Sequence, residues 1–119
     1  MKQARTPGRN ELLPGTLEML ILKTLSIAPM HGYGIAQHIQ MLSADVLTIE
    51  EGSLYPALQR MLVKGWVLAE WKISANNRRA RFYTLTKAGK KQLGVEESRF
   101  SQMFGALMRV MNMRVMKTT

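Results

Sequence analysis

The chain has 119 residues, enough for one domain with a real hydrophobic core and too few for a second. Its 17 Lys and Arg against 8 Asp and Glu give a formal charge of +9, which favours acidic partners: nucleic acid first, an anionic membrane surface second. It has no cysteine, which excludes disulfides and thiolate metal sites, and no apolar run as long as the ~18–20 residues of a membrane span, so a soluble cytoplasmic protein is expected.

Residues 1–13 read as a flexible basic arm, and Met1 to Arg9 lead into no apolar segment of the signal-peptide kind. Pro14-Gly15 punctuates the chain there. Thr16 is the expected N-cap of a first helix running to about Ala28. Leu17, Met19, Leu20, Ile21, Leu22, Leu25 and Ile27 do not keep to one stripe of that helix, so it needs cover on most sides, part of it from a second subunit. Pro29-Met30-His31-Gly32 ends it, and a second helix is predicted over Tyr33 to Leu42 with Ile35, Ile39 and Leu42 facing inward.

Ser43-Ala44-Asp45 reads as a loop and Thr48-Ile49-Glu50 as a very short strand. Gly52-Ser53 then opens a third helix to about Lys64, with Pro56 acceptable only in its first turn, where the missing N–H has no partner to lose. Leu54, Leu58, Met61 and Leu62 form its inward stripe. Ser53, Tyr55, Pro56, Gln59, Arg60, Val63 and Lys64 lie nearer the outside, and Gly65 is the natural stop.

Two strands follow, Trp66 to Ile73 and Ala80 to Thr86, joined by a turn whose Asn76-Asn77 tolerates the left-handed conformation that tight hairpins use. Alternation places Val67, Ala69 and Trp71 on one side of the first strand, and Tyr83 with Leu85 on one side of the second. Trp71, Phe82 and Tyr83 are expected to hold the hairpin to the body. Thr86 is an N-cap candidate for a long last helix, in which Leu93, Phe100, Phe104, Leu107 and Met111 recur at helical spacing.

Charge is unevenly spread along this order. Trp71 to Val95 holds seven bases and no acid, whereas residues 10–70 hold six of the eight acids and three bases. A general solvated coat is the plain alternative, but it does not concentrate arginines at one hairpin tip. Three helices, a hairpin and a long helix make a mainly α fold with a small β-hairpin: a winged helix-turn-helix over residues 14–86, and a C-terminal dimerisation helix over 87–119. The third helix is then the one that lies in a major groove, and the hairpin is the wing.

The residues also resemble the PadR family of bacterial transcriptional regulators, over roughly residues 12–93. The matching stretches are Leu13-Pro14-Gly15-Thr16-Leu17 with Leu20-Ile21-Leu22, and Met30-His31-Gly32-Tyr33-Gly34-Ile35. They continue with Glu51 to Leu58, Arg79-Ala80-Arg81-Phe82-Tyr83, and Leu85-Thr86 with Ala88-Gly89. The resemblance implies a homodimeric repressor that binds an inverted-repeat operator in double-stranded DNA and is released by a small effector, of a compact type with one C-terminal helix.

The expected DNA-facing set is Tyr33, Ser53, Tyr55, Pro56, Gln59, Arg60, Lys64, Asn76, Asn77, Arg78, Arg79 and Arg81. Gln59 suits adenine and Arg60 guanine, and the sequence leaves open which of them reads a base and which grips a phosphate. Ser53, Tyr55 and the three arginines of the wing suit phosphate. Leu17, Leu20, Phe100, Met103, Phe104, Leu107 and Met111 form the expected dimer interface. The five methionines from Met103 to Met116 fit packing there better than an adaptable ligand surface. His31 reads as a turn residue and is too far from other ligands for a metal site with His38; Trp66 and Trp71 read as core; no cofactor and no catalytic constellation is expected. A winged-helix protein-interaction or membrane-surface module, docking through the Met-rich helix with its Arg99, Arg109, Arg114 and Lys117, is the alternative.

Overall fold

A computed structural model describes residues 15–112; the basic arm and the last residues of the expected C-terminal helix, Met113, Arg114, Met116 and Lys117 among them, lie outside the described residues. In chain order the elements are α1 (Thr16–Leu25), β1 (Met30–His31), α2 (Gly32–Leu42), α3 (Glu51–Val63), β2 (Val67–Ile73), β3 (Arg79–Leu85) and α4 (Lys87–Met111). The sheet is antiparallel in the order β1-β3-β2. This is the mainly α winged helix-turn-helix expected, with its short third strand at Met30–His31 instead of at Thr48-Ile49-Glu50.

The core sits where α1, α2 and α3 meet the base of the hairpin. Ile21, Leu22, Ile35, Leu54, Leu58, Met61 and Val67 are its fully enclosed side chains. Thr24 is buried on the same face of α1 and donates its hydroxyl to the Leu20 carbonyl at 2.8 Å, so that hydroxyl is not stranded. Leu17 and Leu20 pack against this core only in part.

Several boundaries differ from expectation, each for a local reason. α1 begins with Gly15 as N-cap, Thr16 being its first helical residue, and it ends at Leu25, short of Ala28. Ser26 closes it by donating its hydroxyl to the Lys23 carbonyl at 2.6 Å. α2 starts one residue early because His31 caps it: Nδ1 accepts from the Gly34 N–H at 3.0 Å. Thr48-Ile49-Glu50 is not a strand. α3 begins at Glu51, which leaves Pro56 in its second turn instead of its first, so the Gly52 carbonyl lacks the amide it would otherwise bond.

The hairpin register pairs Val67 with Leu85, Ala69 with Tyr83, Trp71 with Arg81 and Ile73 with Arg79. One face therefore carries Val67, Ala69, Tyr83 and Leu85 onto the core near its base and carries Trp71, Ile73, Arg79 and Arg81 beyond the body near its tip. Trp71 is accordingly 57% exposed and does not hold the hairpin to the core, whereas Trp66 does pack there. Asn77 takes the left-handed conformation at φ 62°, and the Asn77 N–H reaches the Ser74 carbonyl at 2.9 Å.

Thr86 caps α4 through its hydroxyl oxygen, which accepts from the Gly89 N–H at 3.0 Å. The same hydroxyl donates to the Gly65 carbonyl at 2.7 Å, and the Thr86 N–H reaches the Trp66 carbonyl at 3.0 Å. The start of α4 is thus tied to the start of β2. Past Leu93 no described residue of α4 is buried, and Phe100, Met103, Phe104, Leu107 and Met111 are all exposed.

Candidate nucleic-acid interface

The α2–α3 unit is held together at a close approach. Gly32 is buried, and a Cβ there would fall 2.6 Å from the Tyr55 hydroxyl oxygen, so the phenol end of Tyr55 packs against backbone that only glycine leaves bare. Burial raises the Tyr55 pKa, and the Glu51 carboxylate and Tyr83 push it the same way. Tyr33 stands exposed on the first turn of α2, accepting from Gln37 Nε2 at 3.2 Å. Tyr33 and Tyr55 share a groove of about 800 Å³ between α2 and α3, lined also by Gln37, Met41, Glu51 and Leu54.

The third helix presents its outer face by simple geometry. At about 100° per residue, Gly52, Pro56, Gln59 and Val63 point within about 60° of one another, opposite the buried stripe of Leu54, Ala57, Leu58 and Met61. Ser53, Tyr55 and Arg60 stand on its two flanks. Arg60 donates from Nε to Glu18 Oε2 of α1 at 2.9 Å. Lys64, just past the helix end, has its ammonium 4.6 Å from the centre of the Trp66 ring.

The wing is joined to this unit by aromatics. Phe82 meets the His31 ring edge-on at 5.2 Å, directly behind the α2 cap, where β1 pairs His31 with Phe82. Beyond that joint the Arg79 guanidinium stacks over Trp71 at 4.7 Å and the Arg81 guanidinium over Tyr83 at 6.0 Å. Among the described residues none of Arg78, Arg79 and Arg81 has an acidic partner within ion-pair distance. Asn76 and Asn77 lie in the turn between the strands.

Of the residues expected at a subunit contact, Leu20 and Phe100 come together. They line a cleft of about 460 Å³ between α1 and α4 with Met19, Lys23, Glu97 and Ser101, and Lys23 pairs with Glu97 at 3.5 Å across it. Phe100 and Phe104 stack at 5.9 Å one turn apart, and Met103, Leu107 and Met111 continue outward. Three contributors carried no signal in the sequence: Glu18 is 42 residues from Arg60, Gly32 is 23 from Tyr55, and the capping role of His31 looks like any turn histidine. Among the described residues no three His, Asp or Glu gather as a metal site, and no helix is long and apolar enough to cross a membrane.

Comparison with known proteins bears on the same region. The family model described as the Transcriptional regulator PadR-like family matches residues 21–95. A solved PadR family transcription regulator from Clostridium difficile is similar at 25% identity, with a TM-score of 0.71 over 82% of this chain and 100% of that one. One from Eggerthella lenta is 26% identical, with a TM-score of 0.68 over 82% and 83%. A transcriptional regulator from Clostridium thermocellum shares the fold at 21% identity, with a TM-score of 0.73 over 80% and 92%. An uncharacterized protein of Lysinibacillus sphaericus is 27% identical over 85 residues, which are 71% of this chain and 78% of that protein.

Proposed function

This chain belongs to the PadR-like family of transcriptional regulators, and from that premise we propose that it acts as a homodimeric repressor, binding an inverted-repeat operator and released by a small apolar effector. The observation that carries the reading is the placement of unpaired wing arginines beyond the same body that presents the exposed face of α3. A protein surface built this way offers a duplex two kinds of contact. Gln59 at the centre of the α3 face has the amide pair that adenine recognises in the major groove. Arg78, Arg79 and Arg81, with Asn76 and Asn77 in the turn, suit the backbone and carry no sequence information directly.

The exposed face of α4 supports the dimer in this reading. Its half-exposed Phe100, Phe104 and Leu107, with Met103 and Met111 further out, make a continuous apolar strip that water does not leave uncovered in a stable soluble domain. The radius of gyration is 17.3 Å, against about 13 Å for a compact domain of this length. A second copy of the same helix covers the strip, Leu17 and Leu20 of α1 lie alongside, and two α3 helices are then set about one turn of DNA, ~34 Å, apart. The α1–α4 cleft beside that strip is large enough for a small apolar effector.

Fluorescence anisotropy with the duplex upstream of the chain's own gene, measured from about 50 to 200 mM salt, tests the reading. A log–log slope of several units is expected, at ~0.9 for each phosphate neutralised. Arg79→Ala weakens binding to all sequences alike, whereas Gln59→Ala changes which sequence is preferred. Absence of binding at low salt sinks the reading and favours a protein-docking role for α4.

A further inference from the structure

α3 contains a single basic residue, Arg60, and the structure turns it away from the helix's outer face. Arg60 stands about 70° round the helix from the centre of the Gly52, Pro56, Gln59 and Val63 cluster. A helix seated in a major groove meets base edges with its central strip and the two sugar-phosphate walls with its flanks. Unrestrained, an arginine at that azimuth reaches a phosphate. Here its Nε is held at 2.9 Å by Glu18 Oε2 in the first turn of α1. The Glu18 side chain is only 15% exposed, so the carboxylate is set in the body and the guanidinium comes to it. Lys64 is likewise drawn aside, onto the Trp66 ring.

We propose that Glu18 is a positioning residue that withholds Arg60 from the phosphate backbone, lowering affinity for non-specific DNA and leaving Gln59 as the side chain of α3 that reads a base. The inference rests on the DNA-binding reading above and adds a specificity device to it. Non-specific binding is driven almost wholly by the number of phosphates neutralised. A paired Arg60 presents no net charge to the duplex, so each subunit has one fewer such contact. Specificity is a difference of two affinities, and lowering the sequence-blind one widens it without any new contact to the operator.

The test uses the full chain and a labelled mixed-sequence duplex. Each phosphate contact contributes ~0.9 to the salt slope, or about eightfold in affinity at 0.1 M salt. Glu18→Gln frees Arg60, and is expected to tighten binding about three- to tenfold per subunit and to steepen the slope by ~0.9 per subunit. In the R60A background the same substitution gives no such gain. Glu18→Asp keeps the charge but falls one methylene short, and moves affinity in the same direction. Arg60→Ala alone leaves mixed-sequence affinity nearly unchanged, because the side chain is already withheld. Glu18→Gln keeps the size of the side chain and Arg60 is 55% exposed, so these variants are expected to fold, which helical circular dichroism checks before binding is measured.

Three results overturn the proposal: a gain from Glu18→Gln that persists without Arg60, a weakening by Glu18→Gln, or a loss on Arg60→Ala as large as that of Arg79→Ala. The first reduces the effect to removing one negative charge, and the others make Glu18 a buttress that presents Arg60 to DNA. A wild-type chain that binds no duplex at low salt sinks this proposal together with the DNA-binding reading. Binding without the Arg60-dependent change sinks this proposal alone.

Discussion

Replacing each of two glycines of α4 by alanine is expected to shift stability in opposite directions. Gly94 faces open space, with no atom within 4 Å of a built Cβ. Alanine there relieves the helix-interior penalty of glycine, a gain of ~0.5–1 kcal/mol. Gly89 lies in the first turn, where a Cβ would press into the Trp66 backbone carbonyl and come 2.6 Å from Leu85 Cδ1. The carbonyl cannot swing aside, because it accepts the Thr86 N–H and Thr86 in turn caps the helix. Overpacking of this kind costs ~1–3 kcal/mol and, against rigid backbone, falls at the upper end. After subtracting the propensity gain, Gly89→Ala is destabilising by ~1–2 kcal/mol. For a domain of this size, that lowers the melting temperature by about 5–15 °C, whereas Gly94→Ala raises it by about 3–6 °C. Thermal melts followed by helical circular dichroism at one fixed protein concentration read both shifts. A Gly89→Ala protein melting at or above wild type refutes the close approach as the reason for the glycine.

Phe100→Glu combined with Phe104→Glu puts two like charges into the apolar strip of α4, and sedimentation at micromolar concentration is expected to show a single chain. The melting of its isolated domain changes little, since both rings are about half exposed before association. Tyr55 has its pKa raised by burial, so the unfolded chain ionises first as pH climbs; its contribution is whole below about pH 10 and is lost as pH passes the raised value. Tyr55→Phe is therefore expected to melt with a shallower alkaline decline than wild type, and identical declines exclude the phenol as the cause. At Asn77, left-handed at φ 62°, substitution by glycine is expected to be near neutral while Asn77→Val costs ~1–2 kcal/mol, seen as a lower melting temperature.

Local patterns carried most of the fold. The 3.6-residue stripe of α3, the Asn-Asn turn and the Thr86 cap are each written in consecutive residues and have their counterparts in the structure. In α2 Ile35 and Ile39 are buried as the spacing indicates, whereas Leu42, expected to face inward, is 68% exposed at the helix end, where the body no longer covers it. β1 was not legible because two residues offer no alternation to detect; it exists only because β3 has a free edge for Met30 and His31 to pair with. Trp71 shows the limit of alternation, which tells the side of a strand a residue takes but not where along the strand the body ends. The polar set on α3 was identifiable as outward, yet the division between Gln59 and Arg60 was not. It depends on a carboxylate 42 residues away that only the packing of α1 on α3 brings near. Gly32 and Tyr55 pose the same difficulty, since a phenol packed against bare backbone leaves no periodic trace.

α1 is the wall that α3 and α4 share. Its core side, Ile21, Leu22 and Leu25, is enclosed and cannot shift without opening a cavity. Its flanks reach α3 through Glu18 and α4 through Met19, Leu20 and Lys23. α4 is therefore clamped at two places, by Gly89 on the start of β2 and by Glu97 and Phe100 on α1, and beyond Ser101 its exposed residues touch nothing in the described part of the same chain that buries them. An effector of the kind proposed above, wedged between Leu20 and Phe100, would meet a rigid wall on one side and, on the other, a helix whose end beyond Ser101 is not buried. On that reading the free energy it spent would go where resistance is least, into the direction of α4, while the α2–α3 unit would keep its internal geometry. A ligand shifts such an equilibrium only by its preference between the two arrangements. For the dimer proposed above, the quantity at stake would then be the distance between its two α3 helices, which on that reading must match the turn of a duplex to within the reach of a side chain.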